Sequence, residues 1–199
     1  MRIANASAVL ILAAQFGQAQ TYFPPGILGR TSETSEAAAN RYSKFLQSLH
    51  EPSLLELAQR DPDLEAYRLL WLRESDRPVS VRFVKKAGGT GWFYRHMTSG
   101  NAGTQPGRLS DSGMSYSWKS RTASFLNTID RSGFWNLSAL GYDGNNAPAC
   151  RAHWVLEGIR NGQYHVVDRC SPDLVDPVRV VGMMALKLGN LRVLKDRLY

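Results

Sequence analysis

Apolar positions along the chain follow two periods, and the change between them organises the sequence. Through 33–49 they fall three and four apart, with Ala38, Tyr42, Phe45 and Leu49 on one face, as in an amphipathic helix. Ser32 is positioned to cap its first free N–H groups. A shorter helix follows Pro52, where Ser53 and Glu56 have capping-box spacing, and ends near Arg60. Asp61-Pro62 then offers an N-cap and a proline at the first helical position. A third helix is therefore expected over 62–74, burying Leu64, Tyr67, Leu70 and Trp71. Ahead of these, 20–31 is rich in Pro and Gly and predicted irregular, with Tyr22 and Phe23 packing it.

After Asp76-Arg77-Pro78 the period drops to two. Val79, Val81 and Phe83 alternate with Ser80 and Arg82, a half-buried strand. Gly88-Gly89-Thr90-Gly91 turns into a second strand over 92–97, and a third covers 113–118 after a turn-rich, exposed stretch at 99–107. A helix over 120–131, capped by Ser120 and closed by Gly133, would turn Ala123, Phe125, Leu126 and Ile129 inward. Phe134-Trp135 reads as a core anchor and 141–149 as a loop. Asn161-Gly162 then joins two extended runs within 150–172. That pair suits a type I′ turn, because both central residues must accept positive φ. Asp176-Pro177 opens a helix over 177–188 that is apolar nearly all round and so belongs across the sheet. Leu191, Leu194 and Leu198 continue as a short amphipathic tail. The fold predicted is α+β: an N-terminal helical segment (20–75), then an antiparallel sheet of about five strands with two helices packed against it (76–199), forming one unit.

Counting outward from the turn sorts the hairpin by face. One face carries His153, Val155, Glu157 and Ile159 with Tyr164, Val166 and Asp168; the other carries Trp154, Leu156 and Arg160 with His165, Val167 and Arg169. Glu157 and Asp168 are diagonal neighbours, Tyr164 flanks Glu157, and His153 is diagonal to Asp168. Two carboxylates, an imidazole and a phenol on one face suit general acid–base work. Glu157, Asp168 and His153 are thus the catalytic candidates, and with Tyr164 the binding candidates. The competing reading gives the carboxylates ion pairs with the chain's many arginines.

Composition adds a compartment. The 199-residue chain begins Met1-Arg2 before an apolar run, Ala6 to Phe16, too short to span a bilayer, and small residues at Gly17 and Ala19 permit cleavage before Gln20. Residues 1–19 are read as a signal peptide, with no membrane span in the mature chain. Two cysteines in an exported protein predict a disulfide. Register makes it awkward: Cys170 faces His153, three residues from Cys150, an offset of about 10 Å on a straight strand. A bond requires a bulge or a chain that bends back near Pro148-Ala149. Net charge is +7, dispersed rather than run together. That pattern disfavours nucleic acid and leaves an acidic envelope protein or an anionic cell-wall polymer as partner. His50, His96, His153 and His165 are scattered, with no metal-ligand spacing. No GxSxG elbow, P-loop or dinucleotide fingerprint occurs, so no metal or cofactor is expected.

The segments YRLLWLR (67–73), RPVSVR (77–82), TQPGRL (104–109), GFWNL (133–137) and WVLEGIRNGQYHVVDRCSP (154–172) resemble those of uncharacterised exported proteins of Gram-negative bacteria, over roughly 60–190. The resemblance implies a periplasmic or secreted protein and carries no functional residue with it. The sequence thus points to an exported binding protein without enzymatic activity, of the kind that an inhibitor or immunity-type partner of another envelope protein would be. The alternatives are an envelope hydrolase using Glu157 and Asp168, or a cell-wall-binding module.

Overall fold

The computed structural model describes residues 20–103, 105–141 and 150–192. The leader expected over 1–19, most of the 141–149 loop, Pro148-Ala149 and the end of the C-terminal tail lie outside them. Elements run in the order α1 (Ser32–Ser48), α2 (Leu54–Arg60), β1 (Ala66–Arg73), β2 (Val79–Lys86), β3 (Thr90–Thr98), β4 (Leu109–Ser117), α3 (Lys119–Arg131), β5 (Ala152–Arg160), β6 (Gln163–Cys170) and α4 (Pro177–Leu188). The six strands form one antiparallel sheet in the order β4-β3-β2-β1-β5-β6. This is the expected α+β architecture with one strand more than anticipated. Among the described residues no helix is long and apolar enough to cross a membrane.

The additional strand corrects the helix expected at 62–74. Asp61-Pro62 opens only a turn, and 66–73 is β1, the centre of the sheet. The segment 20–75 is therefore helical only as far as Arg60. All eight residues of β1 are buried. Tyr67, Leu69 and Trp71 enter the core beneath α3 and α4. Ala66, Leu70 and Leu72 enter the cores beneath α2 and α1. A strand covered on both faces is apolar on both faces, so it shows no alternation and can imitate a helical stripe.

Elsewhere the local signals behave as their chemistry dictates. α1 starts one residue early: Thr31 and Thr34 form a reciprocal capping box. α3 has no side-chain cap, and Thr122 rather than Ala123 turns inward, donating to Ser117 O at 3.2 Å. Tyr22 and Phe23 are buried against α1, and Phe134 is sealed in the core. The third expected strand begins four residues earlier, as β4, and Ala102 in the loop before it is buried rather than exposed. Asn161 and Gly162 both take positive φ, 54° and 71°, and β5 pairs with β6 in the register read from the sequence, His153 opposite Cys170.

α4 crosses the sheet at Gly182, close to the Trp154 ring. A Cβ there would stand 2.7 Å from both Cε3 and Cζ3 of Trp154, whose ring is locked against Trp71 with centroids 5.3 Å apart. Alanine ordinarily gains about 1 kcal/mol over glycine inside a helix, but overpacking a close-packed core costs about 1–3 kcal/mol. Gly182→Ala is therefore expected to destabilise the protein. A lowered urea midpoint with unchanged slope would show it, and a raised midpoint would count against this packing.

Candidate functional site

The hairpin face carrying the sequence candidates is divided in two by what α1, α2 and the strands place over it. The first part is a sealed charge cluster. Arg68 of β1 is paired across the sheet with Glu157 of β5, and both side chains are 0% exposed. The Arg68 guanidinium donates to Glu157 Oε2 from Nε at 2.8 Å and Nη2 at 2.6 Å, and from Nη1 to Pro52 O. Tyr164 donates to Glu157 Oε1 at 2.9 Å. Burial, countered by Arg68, raises the Glu157 carboxyl above the usual range.

Glu51 covers the cluster from the corner between α1 and α2. It reaches the sheet because His50 takes positive φ, 54°, and closes α1 with paired bonds, Glu51 N to Leu46 O and His50 N to Gln47 O. This is the Schellman ending, made here with histidine where glycine is usual. Glu51 then accepts from Ser80 Oγ (2.8 Å) and His96 Nδ1 (2.9 Å) on one oxygen and from Arg82 Nε (2.7 Å) on the other. Arg68 Nη1 stands 3.6 Å from Glu51 Oε2. Burial alone would raise this carboxyl, but the His96 hydrogen bond and the Arg82 and Arg68 charges outweigh it and lower it to about 2.

The second part opens to solvent. Asp168 of β6 accepts from Tyr42 OH of α1 at 2.6 Å and lies 3.3 Å from His153 Nδ1 of β5. Tyr42 OH also lies 2.9 Å from His153 Nδ1. Burial, reinforced by Asp168, raises the Tyr42 phenol well above its ordinary value, so it stays a donor. Tyr42, His153 and Asp168 line a pocket of about 460 Å³, with Leu28, Ala38 and Leu140 as apolar wall and Arg30 and Arg41 as its cations. The segment bearing Arg30 sits tightly on α1: Leu28 N donates to Ser35 Oγ at 3.1 Å. A Cβ on Gly29 would fall 2.1 Å from Ser35 N.

No protein-family model matches the chain, and no curated protein matches it at a significant level.

The expected foursome is therefore not one site. Glu157 and Tyr164 are bonded into the sealed cluster, while Asp168 and His153 belong to the pocket. The cysteines are bonded as predicted, with Cα atoms 5.3 Å apart. The offset is overcome where the chain bends just after β6. Ser171 turns back with φ 42°, and its Oγ accepts from both Arg151 N (3.1 Å) and Ala152 N (3.3 Å). Sequence reasoning did not single out Arg68, Glu51, Tyr42 or the pocket arginines. Only Arg68 carried a signal: a charge inside an apolar run must be paired if the run is buried. Among the described residues no group of three or more His, Cys, Asp or Glu is placed to hold a metal ion.

Removing one partner of a buried ion pair costs about 3–5 kcal/mol. Arg68→Met should lower stability by that much, measured by urea unfolding at pH 7. Glu51, lowered from an ordinary 4.5 to about 2, contributes stability that is fully present above pH 4.5 and is lost as pH falls through 2. A shift of that size is worth about 3 kcal/mol. Glu51→Gln should therefore be less stable at pH 7 and lose less stability than the wild type between pH 5 and 2, seen in acid titrations of the urea midpoint.

Proposed function

We propose that the mature chain is an exported bacterial binding protein, acting in the periplasm or after secretion. On this reading it seats an anionic group of its partner in the pocket between α1 and the β5–β6 hairpin. The observation carrying the reading is the separation of the two carboxylates. Glu157 is sealed and occupied by Arg68 and Tyr164, so a substrate has no path to it. Hydrolysis by a Glu157–Asp168 pair would need both groups to flank one bond.

What remains open to a ligand has the character of a recognition site: an apolar wall, a few convergent polar groups and a volume suited to a small moiety. Arg30 and Arg41 bring positive charge to it, and the chain's overall +7 favours approach by an acidic partner. An acidic envelope protein, as for an inhibitor or immunity-type partner, or an anionic cell-wall polymer would present such a group. Export is supported by the leader-like residues 1–19 and by the Cys150–Cys170 disulfide, a bond rarely kept in a reducing cytosol. The resemblance to exported proteins of Gram-negative bacteria points the same way.

Ala37 lines the pocket from an exposed position on α1, so Ala37→Trp should block it without entering the core. Mature wild type and variant would be compared in co-sedimentation with purified peptidoglycan and in capture from envelope extract, at low and at molar salt. A partner held by the wild type at low salt, lost in Ala37→Trp and weakened by salt, is the expected result. Equal recovery by both chains, or retention of nothing by either, would overturn the reading.

A further inference from the structure

We propose that Cys150–Cys170 is an exchange-active disulfide and that Cys150, partnered by His153 and positioned through Asp168, is its reactive thiol. The inference goes beyond the binding reading and does not rest on it. Cys150 is exposed, and its Sγ lies 3.4 Å from His153 Nε2. On the other side of the ring, Nδ1 faces Asp168 Oδ1 at 3.3 Å and Tyr42 OH at 2.9 Å. Tyr42 gives its one proton to Asp168 Oδ2 at 2.6 Å. A carboxylate only accepts, so the neutral imidazole carries its hydrogen on Nδ1 toward Asp168 and turns the Nε2 lone pair toward sulfur. A nucleophile, a base within reach of it and a third group orienting the base form the arrangement that activates a thiol.

Each member is held by a different device. His153 is fixed by register opposite Cys170. Asp168 N donates to Ala139 O at 2.7 Å, which anchors the backbone beneath that carboxylate. Tyr42 comes from α1, and Cys150 is brought round by the bend at Ser171. The charged and titratable groups around the sulfur are His153, Asp168 and Tyr42, with Arg151 next in sequence and Arg30 and Arg41 across the pocket. A partly exposed site with cations nearby favours thiolate.

The chemistry needs a dithiol as reductant. One of its thiolates forms a bond to Cys170 Sγ, and the Cys150–Cys170 bond breaks with its electron pair left on Cys150 Sγ, beside His153. The second thiolate of the dithiol then attacks its own sulfur in the mixed disulfide and expels Cys170 as thiolate, which takes a proton from solvent. His153 Nε2 takes the second proton from solvent and leaves Cys150 as a thiolate paired with imidazolium. The dithiol's thiols have released two protons to solvent, so the protein gains two electrons and two protons in total. In reverse, the Cys170 thiolate attacks a disulfide on another exported molecule, and the Cys150 thiolate resolves the mixed disulfide by attacking Cys170 Sγ. Attack at Cys170 is the productive direction, because the leaving sulfur is then the one that His153 stabilises by taking a proton on Nε2 as the thiolate forms.

The test begins with the folded, oxidised chain. Opening of the disulfide by dithiothreitol is timed for wild type and for His153→Gln, with about tenfold slower opening expected in the variant, since exchange rates follow leaving-thiol stability. The reduced protein is then alkylated with iodoacetamide across pH, and Cys150 is followed by mass spectrometry. The wild-type profile should have its midpoint well below the ordinary thiol value of about 8.5. His153→Gln should return it to that value, and Asp168→Asn should move it part of the way. Equal opening rates in the two chains overturn the proposal, and so does an ordinary midpoint in a reduced wild type that keeps its near-ultraviolet circular dichroism. If the reduced chain loses that signal, the opening rates alone decide.

Discussion

A guanidinium with no access to water sits at the centre of this molecule, and much of the architecture exists to satisfy it. Arg68 lies in the middle of the most buried strand, where an unpaired charge would cost several kcal/mol. Its three partners come from two separated places: Glu157 on the neighbouring strand, and Glu51 with the adjacent Pro52 carbonyl at a helix corner. Arg82 and His96 share Glu51 with it, so the row extends across four strands. Replacing such clusters with apolar residues is often neutral for stability. What the ions specify is position. Glu51 can meet Arg68, Arg82, Ser80 and His96 together only if α1 ends at His50 and the chain turns down onto the sheet there.

That constraint also shapes the site. α1 is one wall of the pocket, and Tyr42 on its buried face reaches Asp168 and His153. Along one face of the hairpin the environment therefore changes steadily. Glu157 is sealed among charges, Asp168 and His153 stand at a pocket, and Cys150 lies in the open beyond them. Groups on one face of the hairpin and at its base are thereby given separate surroundings: a sealed ion pair, the wall of a pocket and an exposed sulfur beside an imidazole.

How much of this was legible in the sequence depended on whether the signal was local. Asn161-Gly162 fixed its turn through backbone sterics, and the register followed by counting, so the assignment of hairpin side chains to faces agrees with the structure. Asp176-Pro177 likewise opens α4. Residues 62–74 misled because β1 is covered on both faces. Leu64, Tyr67, Leu70 and Trp71 then imitate a helical stripe, and the cap-like Asp61-Pro62 agrees with the wrong answer. The diagonal placement of Glu157 and Asp168 was read correctly, but register fixes only where side chains start. Their partners, Arg68, Glu51 and Tyr42, arrive from strands and helices far away in sequence, and no local pattern announces such meetings. Composition predicts the disulfide although straight-strand register opposes it, and the bend that permits it depends on Ser171 taking a left-handed conformation that serine seldom adopts.

The most direct test of the central role of Arg68 is a double-mutant cycle with Glu157, comparing Arg68→Met, Glu157→Leu and the double variant by urea unfolding. If the buried pair organises the sheet and the helix corner above it, the two changes will be coupled by at least about 2 kcal/mol, and the double variant will be more stable than Arg68→Met alone. Additivity within about 0.5 kcal/mol would contradict the account, because it would mean that the two charges do not depend on one another.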